Sequence, residues 1–250
     1  MTLDRDVFIR PIAHRGLHNA KKGIAENTLP AFAAAIAKNY GIECDLRPAA
    51  GGVPVVFHDE TLERLTTSKG RFADLDAAAL KRVKHKVGGA GISTFAEMLA
   101  AVDGAVPLLV EIKSEWDLPD KKFLNHIAKL ASAYRGPIAL MSFDTAVMTA
   151  LRELAPKVPR GIVSGTYAGA GWWNRKISKA RAANLRDLLE SGPVAPDFYA
   201  YQVSALPTPV TRFVREVLEL PLFTWTVRTA KERTAAQNWA DADIFEGFEP

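Results

Sequence analysis

The chain has 250 residues, of which 48% are hydrophobic, and this length fits one barrel-sized domain better than a pair of small domains. Its 32 basic and 28 acidic residues leave a net charge of +4, and the basic residues are scattered rather than gathered in a run. This distribution argues against a nucleic-acid partner, while Asp103 and Asp144 interrupt the most apolar segments and argue against stable membrane insertion.

Short apolar runs alternate along the chain with segments of helical period, a pattern typical of a parallel sheet with crossover helices. The predicted strands are residues 11–14, 41–46, 107–112, 138–143, 160–164, 197–203, 222–227 and 243–248. The predicted helices between them include residues 29–38, 94–102, 122–134, 146–154, 178–189, 209–218 and 230–240.

A further strand-like run, residues 54–58, follows the second strand after a short connection containing Gly51 and Gly52. Because a parallel crossover needs about a dozen residues, this run is predicted to return as an antiparallel hairpin outside the barrel count. The other eight strands predict an α/β fold, a (β/α)8 TIM barrel in which residues 1–250 form one domain with no clear final helix. An open doubly wound sheet is the alternative, although residues 17–28 lack its usual Gly-rich phosphate turn.

Acidic residues lie near the ends of two barrel strands that are consecutive in the chain. Since side chains alternate along a strand, Glu43 and Asp45 share one face while Cys44 points the other way, and Glu111 occupies a similar position on the next barrel strand. Each acid alone is compatible with a surface ion pair. Together, at the C-terminal mouth of a barrel, they indicate a site for a divalent cation, Mg²⁺ or Ca²⁺.

Histidines follow the same positional rule. His14 ends the first strand and His58 ends the hairpin return, so both imidazoles are expected near the acids, where they could transfer protons at neutral pH. The remaining histidines have no such position and are interpreted as structural or surface groups: His18, His85 and His126.

Positive charge accompanies the acids and histidines. Arg15 follows His14, and Lys113 lies on the same strand face as Glu111, which suits a phosphate, with ordinary salt bridges as the alternative. The chain has no nucleophile elbow, P-loop or zinc-spaced Cys and His pair. The combination favours metal-assisted hydrolysis of a phosphate ester.

These residues lie in segments that resemble those of the glycerophosphodiester phosphodiesterases. The matching segments occur in family order over nearly the whole chain: residues 13–16, 26–28, 31–32, 42–46, 55–59, Leu62, Arg64, Thr66, 111–113, 142–143 and 225–227. The resemblance implies hydrolysis of a small-molecule glycerophosphodiester to glycerol 3-phosphate and an alcohol, a reaction of lipid and glycerol metabolism.

Residue by residue, the resemblance implies cation binding by Glu43, Asp45 and Glu111, acid–base catalysis by His14 and His58, and phosphate contacts by Arg15 and Lys113. It adds Trp225 as an apolar wall for the glycerol moiety, for which barrel packing is an equally good interpretation. Glu26 and Asn27 are expected to organise the loop after the first strand, where Glu-Asn-Thr is also typical of a helix start.

Three segments depart from the family pattern. Ala25 stands where Pro is usual, and residues 38–41 lack the usual Gly-Ala-Asp approach to the second strand. The family commonly ends its last strand in Thr-Asp followed closely by Pro, whereas residues 244–248 read Ile-Phe-Glu-Gly-Phe. The role of that pair, and substrate choice with it, is therefore open.

Two alternative functions follow from the same residues. One is a phosphodiesterase of altered specificity, acting on a sugar phosphodiester or a lysophospholipid, with residues 165–173 as a pocket loop or a lipid-contacting lid. The other is a non-catalytic metal-binding or ligand-sensing barrel. The presence of both histidines and all three acids argues against this alternative. The single cysteine, and an opening segment without an apolar stretch, favour a cytoplasmic location; no oligomeric state is predicted.

Overall fold

The computed structural model describes residues 3–117, 120–169 and 171–250. In it, eight parallel strands close into a barrel because β1 (Ile12–Ala13) pairs with both a second and a last strand. The others in the barrel are β2 (Gly41–Ala49), β4 (Leu108–Ile112), β5 (Ile138–Ser142), β6 (Arg160–Ser164), β7 (Phe198–Gln202), β8 (Leu222–Val227) and β9 (Ala242–Phe245). The predicted barrel is confirmed, and the open doubly wound alternative is wrong.

The hairpin insertion is also confirmed. Strand β3 (Val53–Val56) runs antiparallel to β2, with Ala49 opposite Val53 and Leu46 opposite Val56. The turn between them places Gly51 and Gly52 at φ values of 75° and 74°, where a residue with a Cβ is strained. The returning strand brings residue 58 back toward the C-terminal end of β2, since the Phe57 N–H donates to the Asp45 carbonyl at 3.0 Å.

The helices of the crossovers are α2 (Leu29–Ala37), α4 (Phe95–Val102), α5 (Lys121–Ala133), α6 (Thr145–Leu154), α7 (Lys179–Arg186), α9 (Pro209–Glu216) and α10 (Ala230–Trp239). Several begin at side chains that accept the free N–H groups of the first turn, as Thr94 does with Glu97 and Thr229 with Glu232. Three shorter helices were not predicted: α1 (Arg5–Phe8), α3 (Ala77–Arg82) and α8 (Ser191–Val194). As predicted, the described residues after β9 form no helix.

Two apolar layers position the strands. The outer layer lies between strands and helices, and there Cys44 contacts Met98 of α4 with the sulfur atoms 3.8 Å apart. The inner layer fills the barrel interior and includes Leu109, Met141, Phe198 and Phe223, with Phe8 of α1 packed against it. Within the described ranges, no helix combines the length and apolarity that crossing a membrane requires.

Candidate active site

Three carboxylates converge at the C-terminal end of β2 and β4. Asp45 pairs in register with Glu111, and Glu43 precedes Asp45 on the same face of β2. All three are buried, with exposed fractions of 2% for Glu43, 1% for Asp45 and 8% for Glu111. One oxygen from each lies within 4.8 Å of the others, a spacing that allows one cation to contact all three.

Two basic side chains accompany the carboxylates. The Lys113 Nζ lies 2.8 Å from Asp45 Oδ1 and 2.5 Å from Glu111 Oε1, and the Arg15 Nε lies 3.3 Å from Asp45 Oδ2. Burial raises the pKa of Asp45, but the charges of Lys113 and Arg15 outweigh it and hold that pKa well below its usual range. Burial and the neighbouring acids Asp45 and Glu111 instead raise the pKa of Glu43.

These residues fit a divalent cation. Asp45 Oδ1 is shielded from solvent and lies 2.8 Å from the Lys113 ammonium. Three buried carboxylates beside two basic side chains leave an excess of negative charge, which is costly unless a further cation compensates it. The raised pKa of Glu43 shows the same excess of buried negative charge, and carboxylate oxygens are the donors that Mg²⁺ and Ca²⁺ prefer.

The loop after β1 holds two of these acids in place. The main-chain N–H of Arg15 donates to Glu43 Oε2 at 2.9 Å, and the Asn27 amide donates to Asp45 Oδ2 at 2.8 Å. Asn27 is fully buried. It therefore contacts the acidic cluster directly, in addition to the loop-organising role expected of it.

His14 lies between two carboxylates. Its Nε2 is 3.9 Å from Glu43 Oε2, and its Nδ1 is 2.8 Å from Glu246 Oε2. Burial lowers the pKa of His14, partly opposed by the hydrogen bond with Glu246. Burial would raise the pKa of Glu246, but the contact with His14 and the charge of Arg228 lower it to about 2.

His58 also has a carboxylate partner. Its Nδ1 lies 2.7 Å from Asp59 Oδ1, and Arg64 holds Asp59 through contacts of 2.6 and 2.9 Å. Arg64 also donates to Glu26, which accepts from Arg15 at 2.6 Å. Burial raises the pKa of Asp59, but the hydrogen bonds from His58 and Arg64 outweigh it and leave that pKa lowered.

The sequence interpretation did not identify either histidine partner. Asp59 was available as the residue directly after His58 in a matching segment. Glu246 could have been found from barrel closure, because the last strand must pair with the first, so a residue just past β9 lies beside a residue just past β1.

A cavity of about 680 Å³ opens above the carboxylates. The predicted site residues that line it are His14, Arg15, Glu43, His58, Glu111, Lys113 and Trp225. Asp45 lies beneath them, almost fully buried. The Trp225 ring packs edge-on against Phe143 at 5.3 Å and its Nε1 donates to the Ala200 carbonyl at 3.2 Å, so this residue both packs in the barrel and forms cavity wall.

Ion pairs cross one side of the cavity mouth. Arg47 Nη1 lies 2.8 Å from Glu115 Oε1, and Lys176 contacts both Glu115 and Glu60, the latter at 2.6 Å. The Arg47 Nε also donates to the main-chain carbonyl of His58. This side of the mouth is therefore charged and rich in hydrogen-bonding groups.

The other three histidines lie at different distances from the site. His85 and His126 bond to main-chain carbonyls of Ala90 and Gly52 in the insertion and its turn, whereas the His18 Nε2 lies 3.8 Å from Glu246 Oε1, closer to the site than expected. In the loop formed by residues 165–173, the ring of the buried Trp173 packs edge-on against Tyr167. Ala170 and the side chain of Trp172 lie outside the described residues.

Fold and site together define a class of protein, a closed parallel β/α barrel with carboxylates, histidines and basic residues at its C-terminal mouth. A family model described as the glycerophosphoryl diester phosphodiesterase family matches residues 14–244. The chain belongs to this family.

Individual relatives agree with this assignment. Glycerophosphodiester phosphodiesterase 1 of Mus musculus is 30% identical over 162 residues, which cover 60% of this chain and 47% of the mouse protein. The chain thus spans about half the length of this relative.

Two solved structures share the fold. Glycerophosphodiester phosphodiesterase of Thermotoga maritima aligns with a TM-score of 0.70 at 21% identity, covering 95% of this chain and 93% of that one. An Oleispira antarctica phosphodiesterase in complex with the product sn-glycerol-3-phosphate aligns with a TM-score of 0.73 at 19% identity, covering 94% and 92%. At these identities the alignments establish the fold alone.

Proposed function

We propose that the protein hydrolyses glycerophosphodiesters to glycerol 3-phosphate and an alcohol, with the help of a divalent cation. The observation that carries this proposal is the arrangement of one cavity: two imidazoles, each bonded through Nδ1 to a carboxylate, stand beside three converging carboxylates and two basic side chains. Binding alone would not need two oriented proton-transfer groups. The same arrangement disfavours a non-catalytic barrel.

Glu43, Asp45 and Glu111 are the proposed ligands of the cation, Mg²⁺ or Ca²⁺. Bound there, it would offset the negative charge of the phosphate and of the transition state. Arg15 and Lys113 line the same cavity and add positive charge for the non-bridging phosphate oxygens.

His14 and His58 are the proposed acid and base. One imidazole takes the proton of the attacking hydroxyl and the other protonates the oxygen of the leaving alcohol. The nucleophile is either the glycerol 2-hydroxyl, giving a cyclic phosphate that water then opens, or water itself. In both routes each imidazole acts through Nε2, because each Nδ1 is bonded to a carboxylate.

The cavity walls favour a substrate without a long apolar chain. Trp225 and Phe143 offer an apolar surface for the glycerol carbons, whereas Arg47, Glu60 and Lys176 line the same cavity with charge. An acyl chain would desolvate these charges without pairing them, which is unfavourable. Because the acyl chain of a lysophospholipid is esterified to its glycerol, we place glycerophosphodiesters without an acyl chain ahead of lysophospholipids. The cytoplasmic location stays a prediction.

A panel of substrates tests the proposal. The phosphomonoester product is measured for each substrate with Mg²⁺, Ca²⁺ or excess chelator: glycerol 3-phosphate from glycerophosphocholine and glycerophosphoethanolamine, the sugar phosphate from a sugar phosphodiester, and lysophosphatidic acid from lysophosphatidylcholine. We expect cation-dependent turnover of the first two and little turnover of the lipid. Preference for the lipid or the sugar diester would establish altered specificity, and cation binding without turnover of any substrate would establish a non-catalytic barrel.

A further inference from the structure

We infer that Glu246 is a positioning residue for His14, holding the imidazole so that Nε2 is the nitrogen presented to the reacting atoms. The inference rests on the proposed function for its catalytic consequence, but its structural part is independent of any substrate. It also gives a role to the segment after β9, where the chain departs from the usual Thr-Asp ending of its family.

Barrel closure places the two residues side by side. β1 and β9 are parallel neighbours, with Ala13 opposite Phe245, and the His14 N–H donates to the Phe245 carbonyl at 2.9 Å. His14 and Glu246 are the next residues along each chain segment. Their side chains therefore extend from the same level of the β1 and β9 pair, where the barrel closes, and the Nδ1 to Oε2 distance is 2.8 Å.

The Glu246 carboxylate is itself fixed from other directions. Its Oε2 lies 2.8 Å from Arg228 Nη2, and its main-chain N–H donates to the Val227 carbonyl at 2.9 Å. Glu246 lies behind His14, and it is not among the described residues that line the cavity. A carboxylate anchored in this way orients a neighbouring side chain without contacting the substrate.

This geometry determines which imidazole nitrogen carries the proton. A carboxylate can only accept, so the neutral imidazole donates from Nδ1 and leaves the Nε2 lone pair toward Glu43, 3.9 Å away. Without Glu246, both tautomers and other ring orientations become accessible. A carboxylate that fixes the tautomer of a histidine in this way also stabilises the imidazolium formed during proton transfer.

The first experiment is kinetic. We expect Glu246→Ala to lower kcat by about 10- to 100-fold, a loss of the size found when the hydrogen-bond partner of a metal-binding histidine is removed, with little change in KM. In a His14→Ala background the same change should cause no further loss, because Glu246 acts through His14. Glu246→Gln keeps an acceptor and the side-chain shape and should give an intermediate loss, which preserves the test if the Ala variant folds poorly.

Glu249→Ala is the matched control, since that residue is three positions along, exposed, and paired with Lys38 at 2.9 Å. It should leave kcat unchanged. A wild-type kcat in both Glu246 variants would overturn the inference. So would an equal loss from Glu246→Ala in the presence and absence of His14, because that result would show a general structural role.

The second experiment needs no substrate. In ¹⁵N-histidine-labelled protein, assigned with His14→Ala, the neutral His14 ring should carry its proton on Nδ1, and this signal should be lost or averaged in Glu246→Ala. An Nε2-protonated ring in the wild type would overturn the inference. If the wild type hydrolyses no diester but shows the Nδ1–H tautomer, the proposed function fails while the placement of His14 by Glu246 stands.

Discussion

Asn27 and Asp45 bond to each other in both directions. The Asn27 Nδ2 donates to Asp45 Oδ2 at 2.8 Å, and the main-chain N–H of Asp45 donates to Asn27 Oδ1 at 3.3 Å. Asn27 has a φ of 55°, in the left-handed region that Asn tolerates better than most residues. The loop after β1 is thereby joined to the middle of the acidic cluster.

Asn27→Ala should therefore weaken cation binding although Asn27 is not a proposed ligand. Loss of a bond that orients a ligand typically costs about 10- to 100-fold in metal affinity or activity. Calorimetric titration with Mg²⁺ and Ca²⁺ measures the affinity. Asn125→Ala is the control, since that side chain donates to the main chain of its own helix at Lys121. Equal affinities in the Asn27 variant and the wild type would refute the prediction.

His14→Ala and His58→Ala should each lower kcat by roughly 10² to 10⁴, the contribution of a positioned proton-transfer group. Metal affinity should change little, because the three carboxylates remain. His126→Ala serves as control: it loses a bond to the Gly52 carbonyl and some stability, but no activity. Steady-state kinetics and metal titration are measured on the same preparations, and an activity loss that only follows lost metal would contradict the acid–base assignment.

Chelation should abolish turnover, and added Mg²⁺ or Ca²⁺ should restore it. Asp45→Ala should reduce cation affinity directly, because Asp45 is one of the three converging carboxylates that could share the cation. Its activity should recover partly at high cation concentration, which separates it from the histidine variants. Full activity after prolonged dialysis against chelator would argue against the cation, provided that elemental analysis finds no retained metal.

Stability should depend on pH through Glu246. Its pKa is about 2 in the folded protein against an ordinary 4.5, so its ionised form is favoured by folding. The resulting stability is fully present above pH 4.5 and is lost as the pH falls from there toward about 2. Urea unfolding of wild type and Glu246→Gln should show a larger difference in unfolding free energy at about pH 7 than at about pH 3. An unchanged difference would mean that the carboxylate is not stabilised by His14 and Arg228.

Much of the fold followed from residue patterns. The alternation of apolar strands and periodic helices predicted the barrel, and the short connection at Gly51 and Gly52 predicted the hairpin. Helices α1 and α8, with four residues each, are too short to show a helical period, so their prediction would have needed the tertiary contacts of Phe8 and Val194.

The candidate site was predictable where position along a strand decides it. The face shared by Glu43 and Asp45 follows from strand alternation, and the approach of Glu111 follows from parallel pairing. The hydrogen-bond partners were harder, because the Nδ1 contact of His14 joins residues 232 positions apart and depends on closure of the barrel. Side-chain networks such as Asp59, Arg64 and Glu26 depend on rotamers that no periodicity encodes.

The packed interior beneath the carboxylates has a consequence for turnover. Leu109, Met141, Phe198 and Phe223 fill the barrel below the site, and Phe8 packs on the same layer. In the reaction proposed above, substrate and both products thus share the mouth as their passage. The phosphomonoester carries more negative charge than the diester and faces Arg15 and Lys113 on its way out. Glycerol 3-phosphate should accordingly be released more slowly than the alcohol and should act as a competitive inhibitor. The rate of turnover then depends on how fast other reactions consume glycerol 3-phosphate.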